Sequence, residues 1–290
     1  MYKLVAIDLD GTMLNSYGEV TQKTISTIKN TINKGINVVI ASGRTVDSIS
    51  GIADEIGANN YIIAGNGAII YDVNKSEIIY EKNLSKLKAL NIMKICEENS
   101  INYSVYTDKT IIANALKYNI LYYYKENLKK EESKKTKIKI VENIPEYVKN
   151  MQNEKVVKIC VCDKNDLIFK SILKKIKNLN DIEILDVSHM SRKLIRNGTE
   201  DVPIEYYYTE ISEKNVDKWV AIQYLSKILN INQNEIITFG DNINDLKMIQ
   251  NAGLGIAMKG CSPRVSNIAN YITEFDNNND GVAKTLEKFC

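Results

Sequence analysis

Two aspartates, Asp8 and Asp10, flank a single leucine directly after the apolar run Leu4 to Ile7. Carboxylates this close repel unless a cation or a shared proton relieves them, and a buried unpaired charge is costly. A hard cation such as magnesium meets that need through oxygen ligands. A second apolar run, Val38 to Ala41, ends in Ser42-Gly43-Arg44-Thr45 ahead of a helix. There a hydroxyl and backbone amides can hold a phosphate oxygen. A further run, Ile236 to Phe239, delivers Gly240-Asp241-Asn242-Ile243-Asn244-Asp245. Asp241 joined to Asp8 and Asp10 makes an oxygen-rich magnesium site, in which manganese could substitute. Lys218 opens the amphipathic helix before that run.

Each feature also has a plainer reading. Asp8 and Asp10 with Gly11 suit a helix cap or tight turn, Ser42 an N-cap, Asp245 a first-turn acid and Lys218 a solvated surface. A turn does not explain why acids recur at separate strand ends. His189 is the single histidine, which argues against a His-rich zinc site and a Ser-His-Asp triad and leaves it an ordinary packed or surface residue.

The elements that must position these residues follow from periodicity. Short apolar runs at Leu4 to Ile7, Ile36 to Ala41, Ile62 to Ala64, Ile236 to Phe239 and Leu254 to Ala257 read as buried strands. Helical patterns at Thr21 to Lys34, Val46 to Ile56, Lys218 to Leu229 and Asp245 to Asn251 alternate with them. The alternation predicts a parallel sheet covered by helices, whose strands carry ligands at their carboxyl ends. From 83 to 206 the pattern changes to an inserted α+β module, with strands at Tyr103 to Thr107, Lys155 to Cys162 and Ile182 to Val187 and helices at Lys86 to Glu98 and Asp166 to Leu179. Lys125 to Lys139 reads as a solvated helix and loop surface, and Cys160 and Cys162 share one strand face.

With 290 residues, 44% of them hydrophobic, the chain can bury a substantial core. A formal net charge of +2 implies no general attraction to nucleic acid or an anionic membrane. Five scattered cysteines and the lack of a membrane-length apolar run point to a cytoplasmic protein, with no obligate protein partner evident.

In order, D-L-D-G-T, I-A-S-G-R, a lysine opening a helix and G-D-N-x-N-D resemble the haloacid dehalogenase superfamily. The large insertion, N-G-A at Asn66 to Ala68 and D-G-V-A at Asp280 to Ala283 resemble its Cof-type sugar-phosphatase-like branch. The resemblance implies a Rossmann-like core from 1–82 and 207–290, a cap over 83–206, and a Mg2+-dependent phosphatase acting on a small phosphorylated metabolite. It implies Asp8 as nucleophile, Asp10 as general acid and base, Ser42, Gly43, Lys218 and Asn244 toward the phosphate, Asp8, Asp10 and Asp241 toward the metal, and Asp245 in its support. The chain departs from the pattern in the extra segment Ser191 to Tyr208, in Trp219 after the lysine and in K-G-C-S at Lys259 to Ser262. Asn277, Asn278 and Asn279 compete for one phosphate-side position. A phosphotransferase or mutase would share the phospho-aspartate, and a non-catalytic phosphometabolite sensor is the alternative of another class. The sensor has no need of both Asp8 and Asp10.

Overall fold

A computed structural model describes residues 1–58, 60–128, 131–132, 135–185, 191–197 and 200–290, with the backbone alone over 191–197 and 200–203. His189 lies outside the described residues, as does part of the lysine-rich stretch.

The chain opens with β1 (Leu4–Ile7), α1 (Gln22–Asn33), β2 (Asn37–Ala41), α2 (Val46–Ile56), β3 (Tyr61–Ala64), β4 (Ile69–Asp72) and β5 (Glu77–Glu81). The middle holds α3 (Lys86–Glu98), β6 (Asn102–Thr107), β7 (Ile111–Ala113), α4 (Tyr118–Asn127), β8 (Ile138–Ile140), α5 (Ile144–Asn150), β9 (Val156–Asp163), α6 (Asp166–Ile176), β10 (Ile182–Ile184), β11 (Ser191–Asn197) and β12 (Glu200–Glu213). It closes with α7 (Lys218–Ile228), β13 (Ile236–Gly240), α8 (Leu246–Asn251), β14 (Leu254–Ala257), α9 (Pro263–Ser266), β15 (Tyr271–Ile272) and α10 (Gly281–Phe289).

Two compact units result, Met1–Glu81 with Val216–Cys290, and Lys82–Asn215. The first is built on a sheet ordered β15-β14-β13-β1-β2-β3-β4-β5. Pairing is parallel from β15 to β3. β1 is central, and all four of its residues are fully buried. A strand covered on both faces has no polar side, which is why LVAI carries no alternation. The outer strands depart from the all-parallel expectation, for β4 and β5 run antiparallel. Gly65 to Ala68 is too short for a parallel return, which needs a crossover of about a dozen residues. α1 begins where Thr21 accepts a hydrogen bond from the Thr24 amide, and it buries Ile25 and Ile28.

The second unit has a mostly antiparallel sheet, ordered β10-β12-β9-β6-β7-β8, with β11 paired to β12. The predicted return to the core near 207 falls inside β12, whose pairing with β9 and β10 keeps that strand in this unit. One face buries Val105, Ile159, Val161 and Ile211 in a cluster that includes Ala89, Ile92 and Phe169. The other holds Tyr106, Cys160, Cys162 and Tyr206. The two thiols lie 3.7 Å apart on that face, as the strand period requires. Tyr206 and Tyr208 share it, while Tyr207 stacks on Phe169 on the opposite side.

Candidate active site

The apolar strands deliver their polar residues at one edge. The Asp8 amide donates to the Phe239 carbonyl at 3.0 Å, so the β1–β13 ladder runs one residue past β1 and fixes the Asp8 backbone. Asp241 follows Gly240 at the end of β13. Between them Gly11 adopts φ +85°, and a Cβ there would lie 2.5 Å from Asp241 Oδ2. The position must be glycine both for its backbone angle and for that carboxylate. The Thr12 hydroxyl donates to Asp241 Oδ1 at 2.9 Å.

Lys218 is not a solvated surface residue. It is 0% exposed, and its Nζ donates to Asp8 Oδ1 at 2.5 Å and to Asp245 Oδ1 at 2.6 Å. The start of α7 is placed by Asp217, which accepts from the Val220 amide at 2.8 Å and pairs with Lys247 at 3.0 Å. Gly67, at φ +96°, permits the approach, since a Cβ there would fall 2.2 Å from the Asp217 carbonyl oxygen. Asp245 Oδ2 accepts the amides of Asp241 and Asn242, each at 3.0 Å. It therefore braces the loop as well as the lysine.

Asp8, Asp241 and Asp245 each bring a carboxylate oxygen within 4.8 Å of the others. Three carboxylates face one ammonium, so with all three ionised two negative charges would stand uncompensated. That excess matches a hard divalent cation taking oxygen ligands, so the residues fit a magnesium ion. The electrostatics carry the same imprint. Burial, aided by Asp245 and Asp10 and opposed by Lys218, pushes the Asp8 carboxyl from 3.8 up to about 7. Burial and the charges of Asp8 and Asp245 push Asp241 well above the usual range. For Lys218 burial works against the charge, but Asp245 and Asp8 outweigh it and hold the ammonium above its ordinary value. The directions agree once one ammonium is seen to be shared among surplus carboxylates.

The Asp10 carboxylate requires a correction. Expected beside Asp8 and Asp241, it is 55% exposed and pairs with Arg44, accepting from Nε at 2.9 Å and from an Nη at 2.6 Å. The cause is the turn after β1. The Met13 amide bonds the Asp8 carbonyl and the Leu14 amide the Leu9 carbonyl, both across five residues, so the strand's two-residue period no longer applies at Asp10. Asp245 occupies the third place in the carboxylate cluster.

Ser42 is buried, and its Oγ accepts from the Arg44 amide at 3.3 Å. It does not cap α2, whose N-cap position is Thr45. The Ser42 carbonyl accepts from the Asn66 amide at 2.9 Å. Asn66 has φ 57° between Gly65 and Gly67, also left-handed. Its Oδ1 accepts from Asn244 Nδ2 at 3.1 Å, which ties the end of β3 to the loop after β13. Gly43 lies between Ser42 and Arg44 in this turn. The roles of Thr12, Arg44, Asn66 and Asp217 were absent from the sequence reading. Arg44 and Asn66 stand inside S-G-R and N-G-A, where an arginine following a strand-end glycine and an asparagine preceding a glycine were the available signals.

A family description, haloacid dehalogenase-like hydrolase, matches residues 5–286. The chain belongs to the haloacid dehalogenase-like hydrolases. This hydrolase is 25% identical to the phosphatase YwpJ of Bacillus subtilis, over 98% of this chain and 99% of that one. It is 24% identical to another protein of that organism, the 5-amino-6-(5-phospho-D-ribitylamino)uracil phosphatase YcsE, with 98% and 94% covered. Among solved structures, a haloacid dehalogenase-like hydrolase from B. subtilis shares the fold with a TM-score of 0.82 over 99% of this chain and 100% of that one, at 23% identity. Family membership and relatives named phosphatases along the whole chain make this hydrolase a phosphatase.

Proposed function

We propose that the protein hydrolyses a small phosphorylated metabolite, a sugar phosphate or phosphorylated cofactor, with magnesium and through a phospho-aspartate on Asp8. The observation that carries this reading is the single buried ammonium of Lys218 shared between Asp8 and Asp245, with Asp241 completing the cluster. Asp8 is positioned rigidly by the central strand, and its carboxylate attacks phosphorus as the ester oxygen departs. Asp10 must first leave its pair with Arg44 and take up a proton; it then gives that proton to the departing oxygen and takes one from the water that cleaves the phospho-aspartate and frees inorganic phosphate. Lys218 and Ser42, with the Gly43 amide and Asn244, steady the phosphoryl oxygens as charge moves. Asp8, Asp241 and Asp245 are the carboxylates that would hold magnesium, which when bound neutralises charge between carboxylate and phosphate.

The relative named for a phosphorylated ribityl compound supports a polyol phosphate as the substrate class. Among the described residues no helix is long and apolar enough to cross a membrane. The five unbridged cysteines accord with the cytoplasm.

The test is phosphate release from sugar phosphates, nucleotides and phosphorylated cofactors, with and without magnesium, for the native chain and Asp8→Asn. Magnesium-dependent release abolished in the variant supports the reading. Phosphoryl transfer to a sugar without release of phosphate would establish the transferase instead. Binding of a phosphorylated compound with no turnover would leave a sensor.

A further inference from the structure

The three consecutive asparagines near the chain end hold different partners. Asp276 caps a short turn over Asn277–Asn279, accepting from the Asn278 amide at 3.0 Å and from Asn279 Nδ2 at 2.8 Å. Asn277 Nδ2 donates to the Leu14 carbonyl at 2.7 Å. Asn278 Oδ1 accepts from the Ser16 amide at 2.8 Å. A little further on, the Thr21 hydroxyl donates to Asp280 at 2.5 Å. A carbonyl can only accept and an amide only donate, so the orientations of both side-chain amides are fixed by their partners.

The segment they grip is the exit of the turn that carries Asp10. Leu14 forms an isolated backbone bridge with Asp10, and its amide closes that turn on Leu9. Beyond it the loop is folded on itself, with Asn15 Oδ1 accepting from the amides of Tyr17 and Glu19 at 2.9 and 3.0 Å. Asp8 is held by another route, through β1, β13 and Lys218. The nucleophile thus has supports in the sheet and in Lys218 that the second aspartate lacks, although the Met13 amide of the same turn also bonds the Asp8 carbonyl.

We infer that Asn277 and Asn278 are positioning residues for Asp10, fixing the turn from which it delivers its proton to the leaving group. The inference rests on the reading of Asp10 as the acid. Proton delivery matters for a strongly basic alkoxide and little for p-nitrophenolate. A displaced Asp10 therefore slows an alkyl ester selectively, which a general loss of folded enzyme does not do.

The full chain with magnesium is assayed on p-nitrophenyl phosphate and on the alkyl phosphate that the native protein turns over fastest. Asn277→Asp loses the donor and sets a carboxylate against the Leu14 carbonyl. Its kcat on the alkyl ester falls about tenfold or more, against about threefold or less on p-nitrophenyl phosphate, within the range of general-acid effects. Asn277→Ser makes the same comparison if the charged variant does not fold. Asn278→Ala, which leaves the Ser16 amide without its acceptor, splits the two substrates in the same direction, and Asn279→Ala, which loses its bond to Asp276, shows no substrate split. Equal losses on both substrates at Asn277 and Asn278, or a split at Asn279 as large as theirs, overturn the inference. Asp10→Asn separates the two levels. Its own split with none at Asn277 refutes this inference alone, whereas no split at Asp10 refutes the acid reading and the inference together.

Discussion

Each unit of the protein buries a lysine, and the two are used differently. Lys218 in the first unit has Asp8 and Asp245 within hydrogen-bond distance and Asp241 in the same cluster, so its surroundings carry more negative charge than it can neutralise. Lys158 in the second unit, with its side chain 4% exposed, pairs with Glu210 at 2.7 Å and lies 4.9 Å from the centre of the Tyr106 ring. A matched pair next to an aromatic face is a way to bury a charge for the sake of a fold. An ammonium outnumbered by carboxylates is unsatisfactory as structure alone and becomes reasonable when a cation and a phosphate complete it. Charge balance, rather than burial, separates the two.

The comparison breaks first at Lys218. Lys218→Met should lower kcat by about a thousandfold or more, as loss of a preorganised charge at a phosphoryl site does, while magnesium still raises the melting temperature. A variant retaining a tenth of native turnover would place Lys218 with Lys158 as a structural charge.

A metal-free titration sharpens the contrast. Asp8 has its carboxyl raised from 3.8 to about 7, so between those values the folded state binds more protons than the unfolded one. Stability from this group is greatest below pH 4 and declines as pH rises through 7, by at most about 4 kcal/mol for roughly three pKa units. Magnesium displaces the proton, so its stabilising effect should grow over the same interval. Thermal melts in chelator and in magnesium at pH 5 and pH 8 measure this, and a magnesium effect that is flat with pH would contradict it.

The smallest change is expected at the matched pair. Lys158→Met should cost about 2 kcal/mol by removing the charge-assisted bond to Glu210, and Lys158→Met with Glu210→Leu should recover part of it. Turnover of p-nitrophenyl phosphate should stay within about threefold of native in both. Denaturant melts beside that assay decide the matter, and a large kcat loss would give Lys158 a part in chemistry.

The contrast between the two lysines was not legible in the sequence, but much of the fold was, for reasons that differ by element. Leu4–Ile7, Leu254–Ala257 and Lys86–Glu98 coincide with their sequence-based bounds because their apolar patterns are unbroken. Asp8 and Asp241 could be brought together in advance because each follows a buried strand of one sheet, whereas Lys218, which opens a helix, joined them only through the family resemblance. Asp10 could not, since its direction depends on an irregular turn for which residue types supply no period. The strand β5 was missed because its apolar run, Ile78 to Tyr80, is only three residues long and lies on an edge strand with little burial. The bonds of Asn277 and Asn278 to Leu14 and Ser16 join residues more than 260 positions apart, and no local pattern reports such a contact.

The position of β1 also bears on how the molecule is made. One of its neighbours, β2, follows soon after, but the other, β13, is separated from it by the whole second unit. Loop closure over such a separation is slow, whereas the residues of Lys82–Asn215 are contiguous and find their partners among themselves. During synthesis the nucleophile leaves the ribosome before the second unit, and the strand and lysine that hold it arrive after that unit. Until then β1 has one open edge of unpaired N–H and C=O groups between two apolar faces, and it is there that a chaperone or an aggregating neighbour would find the nascent chain.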